Sequence, residues 1–171
     1  MATYPASLPH VSLRPVQAAD YQLVQSLWQD PAVRACLGGP ATEARVRCAF
    51  AAMLQPAPGT LYRVISLADA AGASQALGLI SIDDYQAAGQ KELSYQLLPA
   101  WWGRGIAAAA ALAMVALARD GLGLTELYAE TQSRNTRSVR MLERLGMAEI
   151  DRLERYGQLQ SVFRLALDRA E

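Results

Sequence analysis

Along the chain the hydrophobic rhythm alternates between a helical period and a period of two, and each switch marks an element. Residues 1–10 hold two prolines and no period, and read as a loosely ordered arm. Residues 11–15 alternate up to Pro15, as a short strand does, and Asp20 then stands where a helix cap belongs. Leu23, Val24, Leu27 and Trp28 follow at helical spacing, and a second helix is predicted over 42–54 after the Gly38-Gly39-Pro40 break. From Leu61 the period becomes two, predicting strands at 61–67, 77–82 and 92–98 with short links, an antiparallel meander. A helix over 106–120 is so rich in alanine and aliphatic residues that protein is expected to cover both of its sides. Gly121 and Gly123 end it, and a strand over 124–131 follows, parallel to the strand before the helix because a helical crossover joins them. A helix over 135–145, closed by Gly146, and strands at 148–155 and 160–167 complete the order. The expected fold is α/β (α+β): a mixed, mostly antiparallel central sheet, one parallel βαβ crossover, and helices on both faces. The arm at 1–10 precedes a single domain over 11–171.

Composition narrows the function. With 52% hydrophobic and 19% charged residues, the 171-residue chain has enough apolar surface for a core, which excludes a disordered chain. Sixteen basic and sixteen acidic residues cancel, so no electrostatic field argues for nucleic acid or an anionic membrane as partner. Cys36 and Cys48 sit in no ligand pattern and read as reduced thiols of a cytosolic protein. His10 is the sole histidine and lies in the arm, which removes Ser-His-Asp, Cys-His and histidine-rich zinc chemistry; no metal is expected. The longest apolar run, 106–118, is too short to cross a bilayer, and no leader precedes it, so the expected location is the cytoplasm.

The chemistry concentrates where the strand at 92–98 turns into the apolar helix through Trp101-Trp102-Gly103-Arg104-Gly105. Glycines let the backbone approach a ligand, and the first-turn N–H groups of the helix have no internal partner and carry the positive end of the macrodipole. Such a turn is an anion site, most naturally for a pyrophosphate. Gly103-x-Gly105-x-x-Ala108 also fits a relaxed dinucleotide fingerprint, but it follows a mostly antiparallel region and not a first strand, and the lysine of a Walker loop is missing.

Two motifs carry a resemblance. Trp102-Gly-Arg-Gly-Ile-Ala107 resembles the Q/R-x-x-G-x-G/A loop of the GCN5-related N-acetyltransferases, and the stretch from Asn135 through Ser138 to Leu145-Gly146-Met147 resembles their N-x-x-S/A helix ending in L-G-F. Leu13-Arg14-Pro15, the tryptophan pair and the Asn135/Ser138 pairing are similar to the RimJ/RimL-like, ribosomal-protein-alanine acetyltransferase branch. The resemblance spans about residues 11–167.

It implies acetyl-CoA as cofactor and transfer of an acetyl group to a primary amine, a peptide N-terminus or a small molecule, by direct attack in a ternary complex. Backbone groups of Gln96, Leu97 and Leu98 would pair with the pantetheine arm, and those of Gly103, Arg104, Gly105, Ile106, Ala107 and Ala108 would hold the diphosphate. Asn135 would contact the pantetheine side. The family's usual acid, a tyrosine seven residues after the asparagine, is replaced by Leu142, and Ser138 is the substitute this branch offers. Glu92 is the first candidate for the base and Glu130 the second, with Tyr95 and Tyr128 as possible lining of the acceptor cleft. A homodimer is common in the family. Transfer of another acyl group such as succinyl, or acyl-CoA binding without turnover, are the alternatives.

Overall fold

The computed structural model describes residues 8–68, 73–86 and 89–167. Seven strands form one sheet in the order β1-β2-β3-β4-β5-β7-β6. They are β1 (Ser12–Pro15), β2 (Leu61–Ala68), β3 (Ser74–Asp84), β4 (Lys91–Leu97), β5 (Glu126–Gln132), β6 (Ala148–Arg155) and β7 (Gln158–Ala166). The helices are α1 (Tyr21–Gln29), α2 (Pro31–Arg34), α3 (Glu43–Leu54), α4 (Ile106–Ala116) and α5 (Thr136–Arg144). All strand pairs are antiparallel except β4 with β5. The mixed, mostly antiparallel sheet with a single crossover matches the fold expected from the order of periods.

Two cores lie on opposite faces of this sheet. One gathers Ile65, Ile80, Ile82, Leu93, Leu97 and Phe163 under α4 and α5; the other gathers Val24, Leu27, Val46, Phe50, Val64 and Leu79 under α1 and α3. A bulge between Ile65 and Ser66 leaves Leu77 unpaired in the β2–β3 ladder, and Leu77 joins the α4 core. Gly78 lies opposite Leu97, and a Cβ there would collide with the Gln96 carbonyl oxygen, so this position admits only glycine because β4 crosses so close.

Several elements differ from the expectations. Asp20 stands at the α1 N-cap without capping it: its carboxylate holds Arg14 through two bonds of 2.7 Å and accepts the Gln17 N–H at 2.8 Å. An ion pair with a fixed fork outcompetes the local cap. The short α2, capped by Asp30, was not legible from a four-residue pattern. The long apolar helix is α-helical to Ala116 and continues as one π-helical turn over Leu117–Gly121. Its outer side is not fully covered, since Leu112 and Leu117 are 37% and 38% exposed. At the β6–β7 hairpin, Tyr156 and Gly157 both take positive φ, the geometry of a two-residue turn, which starts β7 at Gln158 and not at 160.

Candidate functional site

β4 and β5 are paired at one position only, Glu92 with Tyr128. Beyond it toward their C-terminal ends the strands part, although β4 runs on to Leu97 and β5 to Gln132. The parting opens a cleft of about 1290 Å³ between the two cores, walled by β4 and β5 and reaching the N-terminus of α4, α5 and the α1–α2 region. A sheet that separates in its middle leaves backbone groups of both strands without a ladder partner, which is where a ligand with amide groups can bind.

Which groups are left follows from the other side of β4. The Leu98 N–H donates to the Leu77 carbonyl at 2.9 Å, and Trp102 Nε1 donates to the Leu97 carbonyl at 2.8 Å. Of the groups expected at Gln96, Leu97 and Leu98, the Leu98 N–H and the Leu97 carbonyl thus each already have one partner within the protein. Strand groups alternate sides, so residues that bond β3 turn away from the gap. Gln96 contributes differently: its side-chain Oε1 is buried in the cleft wall with no donor. A buried amide oxygen left without a partner costs about 1–3 kcal/mol, which an N–H from a bound group would offset.

At the α4 end, Gly103 and Gly105 have φ of 75° and 73°, a left-handed conformation that explains both glycines. Gly105 is the helix N-cap and supplies no side chain, so the N–H groups of Ile106, Ala107 and Ala108 precede the first intrahelical bond, Ala109 N–H to the Gly105 carbonyl at 3.0 Å. All of these residues line the cleft. Arg104 stacks on Trp101 at 4.8 Å and Arg137 on Trp102 at 4.6 Å, so the tryptophan pair holds two cations at the rim of the turn. Leu8 and Pro9, from the segment read as an arm, also line the cleft, and a Cβ on Gly105 would meet them at 3.2 and 3.4 Å.

On the opposite wall Asn135 caps α5: its Oδ1 accepts the Ser138 N–H at 3.3 Å and its Nδ2 donates to Thr131 Oγ1 at 3.3 Å. That cap aims Ser138 across the gap, where its hydroxyl lies 2.5 Å from the Tyr95 hydroxyl of β4. The two walls are thus bridged by a hydroxyl pair. Leu142 is 1% exposed and packs in the α4 core.

Glu92 sits at the closed vertex. It is not part of the cleft lining, whereas Glu130 and Asp83 are. Its Oε1 accepts the Glu130 N–H at 3.3 Å. Burial pushes its carboxyl up to about 7, with the charges of Glu130 and Asp83 adding to the rise and the backbone bond and Arg155 opposing it. Glu130 Oε2 accepts from Arg155 at 2.7 Å, the Tyr85 hydroxyl at 2.8 Å and Gln86 Nε2 at 3.1 Å. Tyr85 in turn stacks on Tyr128 at 5.4 Å, and Asp83 accepts the Tyr62 hydroxyl. Of the two carboxylates, Glu92 can accept a proton near neutrality, and Glu130 is committed to its three donors.

Of the residues taken from the sequence, Tyr95, Gln96, Leu97, Gly103 to Ala108, Glu130, Asn135 and Ser138 line one cleft, whereas Leu98 and Tyr128 do not and Glu92 lies behind it at the vertex. Sequence reasoning missed Gly78, the Tyr95–Ser138 bridge and the buried Arg34 and half-buried Trp28 of the α1–α2 wall. An isolated glycine in a strand was the one available signal for Gly78. The others are long-range meetings that no local pattern encodes.

Residues 10–148 match the model of the acetyltransferase (GNAT) domain family. The fold is similar to an acetyltransferase of Agrobacterium tumefaciens, 26% identical, TM-score 0.77, covering 95% of each chain. It is similar to spermidine N-acetyltransferase of Vibrio cholerae solved with CoA and spermine, 16% identical, TM-score 0.80, covering 92% of this chain and 95% of that one. It is also similar to yncA of Salmonella typhimurium solved with its cofactor acetyl-CoA, 20% identical, TM-score 0.71, covering 95% and 96%.

Proposed function

Because the chain belongs to the GNAT acetyltransferase domain family, we propose that it is an acetyl-CoA-dependent N-acetyltransferase of the RimJ/RimL-like type that acetylates a primary amine by direct attack in a ternary complex. The observation that carries this reading is the parting of β4 from β5 beside a left-handed glycine turn that opens a helix. The residues fit the cofactor in three ways. Gly103 to Ala108 offer a diphosphate unpaired N–H groups, and a Cβ on Gly103 would meet nothing within 4 Å, so the turn has open space in front of it. Gln96 offers a buried, unpaired oxygen to an amide N–H. Arg104 and Arg137, held on tryptophans, add positive charge at the rim. Yet the Vibrio relative with CoA and the Salmonella relative with acetyl-CoA lend support by fold alone.

Bound acetyl-CoA would supply the activated acetyl thioester. The chain's own residues then have two proton tasks. Glu92, raised to about 7, accepts a proton from the incoming ammonium, directly or through water, and so delivers a neutral amine as nucleophile. Ser138 holds a proton for the departing thiolate. Its hydroxyl is 2.5 Å from that of Tyr95, so the phenol can resupply what the serine gives up. Phenols ionise near pH 10 and thiols near 8.5, so a phenol behind the serine is a better matched proton source than an aliphatic hydroxyl alone.

The testing experiment is thermal stabilisation of the protein by acetyl-CoA, succinyl-CoA, CoA and NAD at matched concentrations, followed by release of free thiol with an amine panel. Binding to the native state alone stabilises by about 2.7 kcal/mol at a hundredfold excess over Kd. A shift with acetyl-CoA and amine-dependent thiol release supports the reading. A shift without release under any amine leaves an acyl-CoA-binding module, and no shift with any CoA ester removes the reading altogether.

A further inference from the structure

The cleft's α1–α2 wall contains a cation that no carboxylate among the described residues neutralises. Arg34, the last residue of α2, is 5% exposed and lines the cleft. Its Nε donates to the Gly39 carbonyl at 3.0 Å and its Nη2 to the Leu37 carbonyl at 2.5 Å, and its guanidinium lies over the Trp28 ring at 5.3 Å. These bonds fix the fork in place but occupy only part of the donor set of a guanidinium. Among the described residues Arg34 takes part in no ion pair, while every acid that pairs does so with another base. The charge it does feel is that of Arg45, which is repulsive. Burying a guanidinium without an anion costs several kcal/mol, which carbonyl dipoles offset only in part.

A second observation lies directly beneath it. The indole Nε1 of Trp28 is buried with no acceptor, and Trp28 lines the same cleft. Arg134, from the turn after β5, donates to the Ala35 carbonyl at 3.0 Å and places a further cation on this wall. The carboxylates Glu130 and Asp83 line the cleft next to its vertex, with Glu92 behind them: Asp83 is paired with Glu92 across β3 and β4, and the Glu130 N–H donates to the Glu92 carboxylate. The acids of the cleft therefore gather at its vertex, and beyond the C-terminal end of β5, where Arg134 reaches the α2 segment, lie donors that no described carboxylate pairs with.

We propose that Arg34, with Trp28 below it, is the binding site for a carboxylate of the acceptor, and that the substrate class is a primary amine that carries a carboxylate, as a free amino acid does. The amine lies toward the acids, where Glu92 takes its proton, and the carboxylate fills the unpaired donors. A polyamine, cationic at both ends, meets repulsion at Arg34. This rests on the acetyltransferase reading above.

The test compares free amino acids with their carboxamides and decarboxylated amines, a polyamine, and a short peptide with an acidic second residue, as acceptors for the full chain with acetyl-CoA. The expected result is a kcat/KM about 10–100-fold higher for acids than for the matching amides, the worth of hydrogen bonds to a charged group. Arg34→Gln should erase that ratio while leaving the amides and the KM for acetyl-CoA unchanged, and Arg34→Lys should retain part of it. Equal use of acids and amides by the native protein, or preference for the polyamine, overturns the proposal. So does an Arg34→Gln variant in which acids and amides fall together, because a loop clip alone predicts that. Preference for the acidic peptide over free amino acids keeps the carboxylate site and moves its source to a protein N-terminus. Calorimetric binding of amino acid against amide in the presence of CoA separates the two readings. If acetyl-CoA binds but no acid is preferred, only the Arg34 assignment fails; if no acetyl transfer occurs, selective amino-acid binding lost in Arg34→Gln still supports it, and its absence overturns it.

Discussion

At the α4 end the cleft is lined by main chain: left-handed glycines, N–H groups of a first helical turn, and the open edge of a parted strand. At the α1–α2 end it is lined by side chains from elements distant in sequence: Trp28 and Arg34 near the start, Arg134 a hundred residues on. Backbone donors make a site that any chain with the same turn can build, and they recognise what is common to many ligands. Side chains are chosen position by position, and they recognise what is particular. On the proposed function, the first end would hold the cofactor and the second would choose the acceptor.

The comparison is broken most strongly at the vertex, where the two ends meet. Glu92→Gln is expected to lower kcat about 10²–10⁴-fold with acetyl-CoA binding retained, the range for loss of a general base. The native kcat/KM should rise with pH through about 7 as Glu92 loses its proton, and the variant should lose that inflection; a pH–rate profile checks both. Next comes the backbone end. Gly105→Val should abolish the thermal shift with acetyl-CoA, because valine is strained at φ of 73° and its Cβ meets Leu8 and Pro9. Gly103→Ala shares the left-handed strain but faces open space, so a retained shift there would separate loss of space from loss of backbone freedom.

Smaller effects sharpen the middle of the cleft. Ser138→Ala and Tyr95→Phe should each lower kcat about tenfold with little change in KM for acetyl-CoA, and the double variant should fall short of additivity by about 0.5–1.4 kcal/mol, since the two hydroxyls act as one pair. Full additivity would mean that they work separately. The smallest effect is on stability. The folded state holds Glu92 protonated to about 7, above its unfolded value of 4.5, so between those values the native state binds more protons than the unfolded one. Stability therefore falls as pH rises from about 4.5 through 7, and Glu92→Gln should flatten that slope and raise stability above neutrality by on the order of 1–3 kcal/mol. Denaturant unfolding at pH 5 and 8 measures it.

The same division explains what could be read in advance. Periods of two and near 3.6 laid out the meander, the apolar helix and the crossover, because a residue's side of a strand or helix is set by its own neighbours in sequence. The glycine turn was legible for the same reason: left-handed φ is a local demand, and Gly103 and Gly105 met it. Asn135 and Ser138 stood in a cap three residues apart. Asp20 was misread as a cap because its partner, Arg14, belongs to the strand before it and forms two bonds where a cap forms one.

What the sequence by itself determined is thus the order of elements, the left-handed turn that opens α4, and the chemical types available to the cleft. Tertiary structure decided the rest. It parted β4 from β5 after a single bridge, set Tyr95 against Ser138, raised Glu92 by burying it beside Glu130, and buried Arg34 without an anion. Each of these depends on which groups are excluded from water together, and water is excluded by the packed molecule as a whole, not by any segment of the chain.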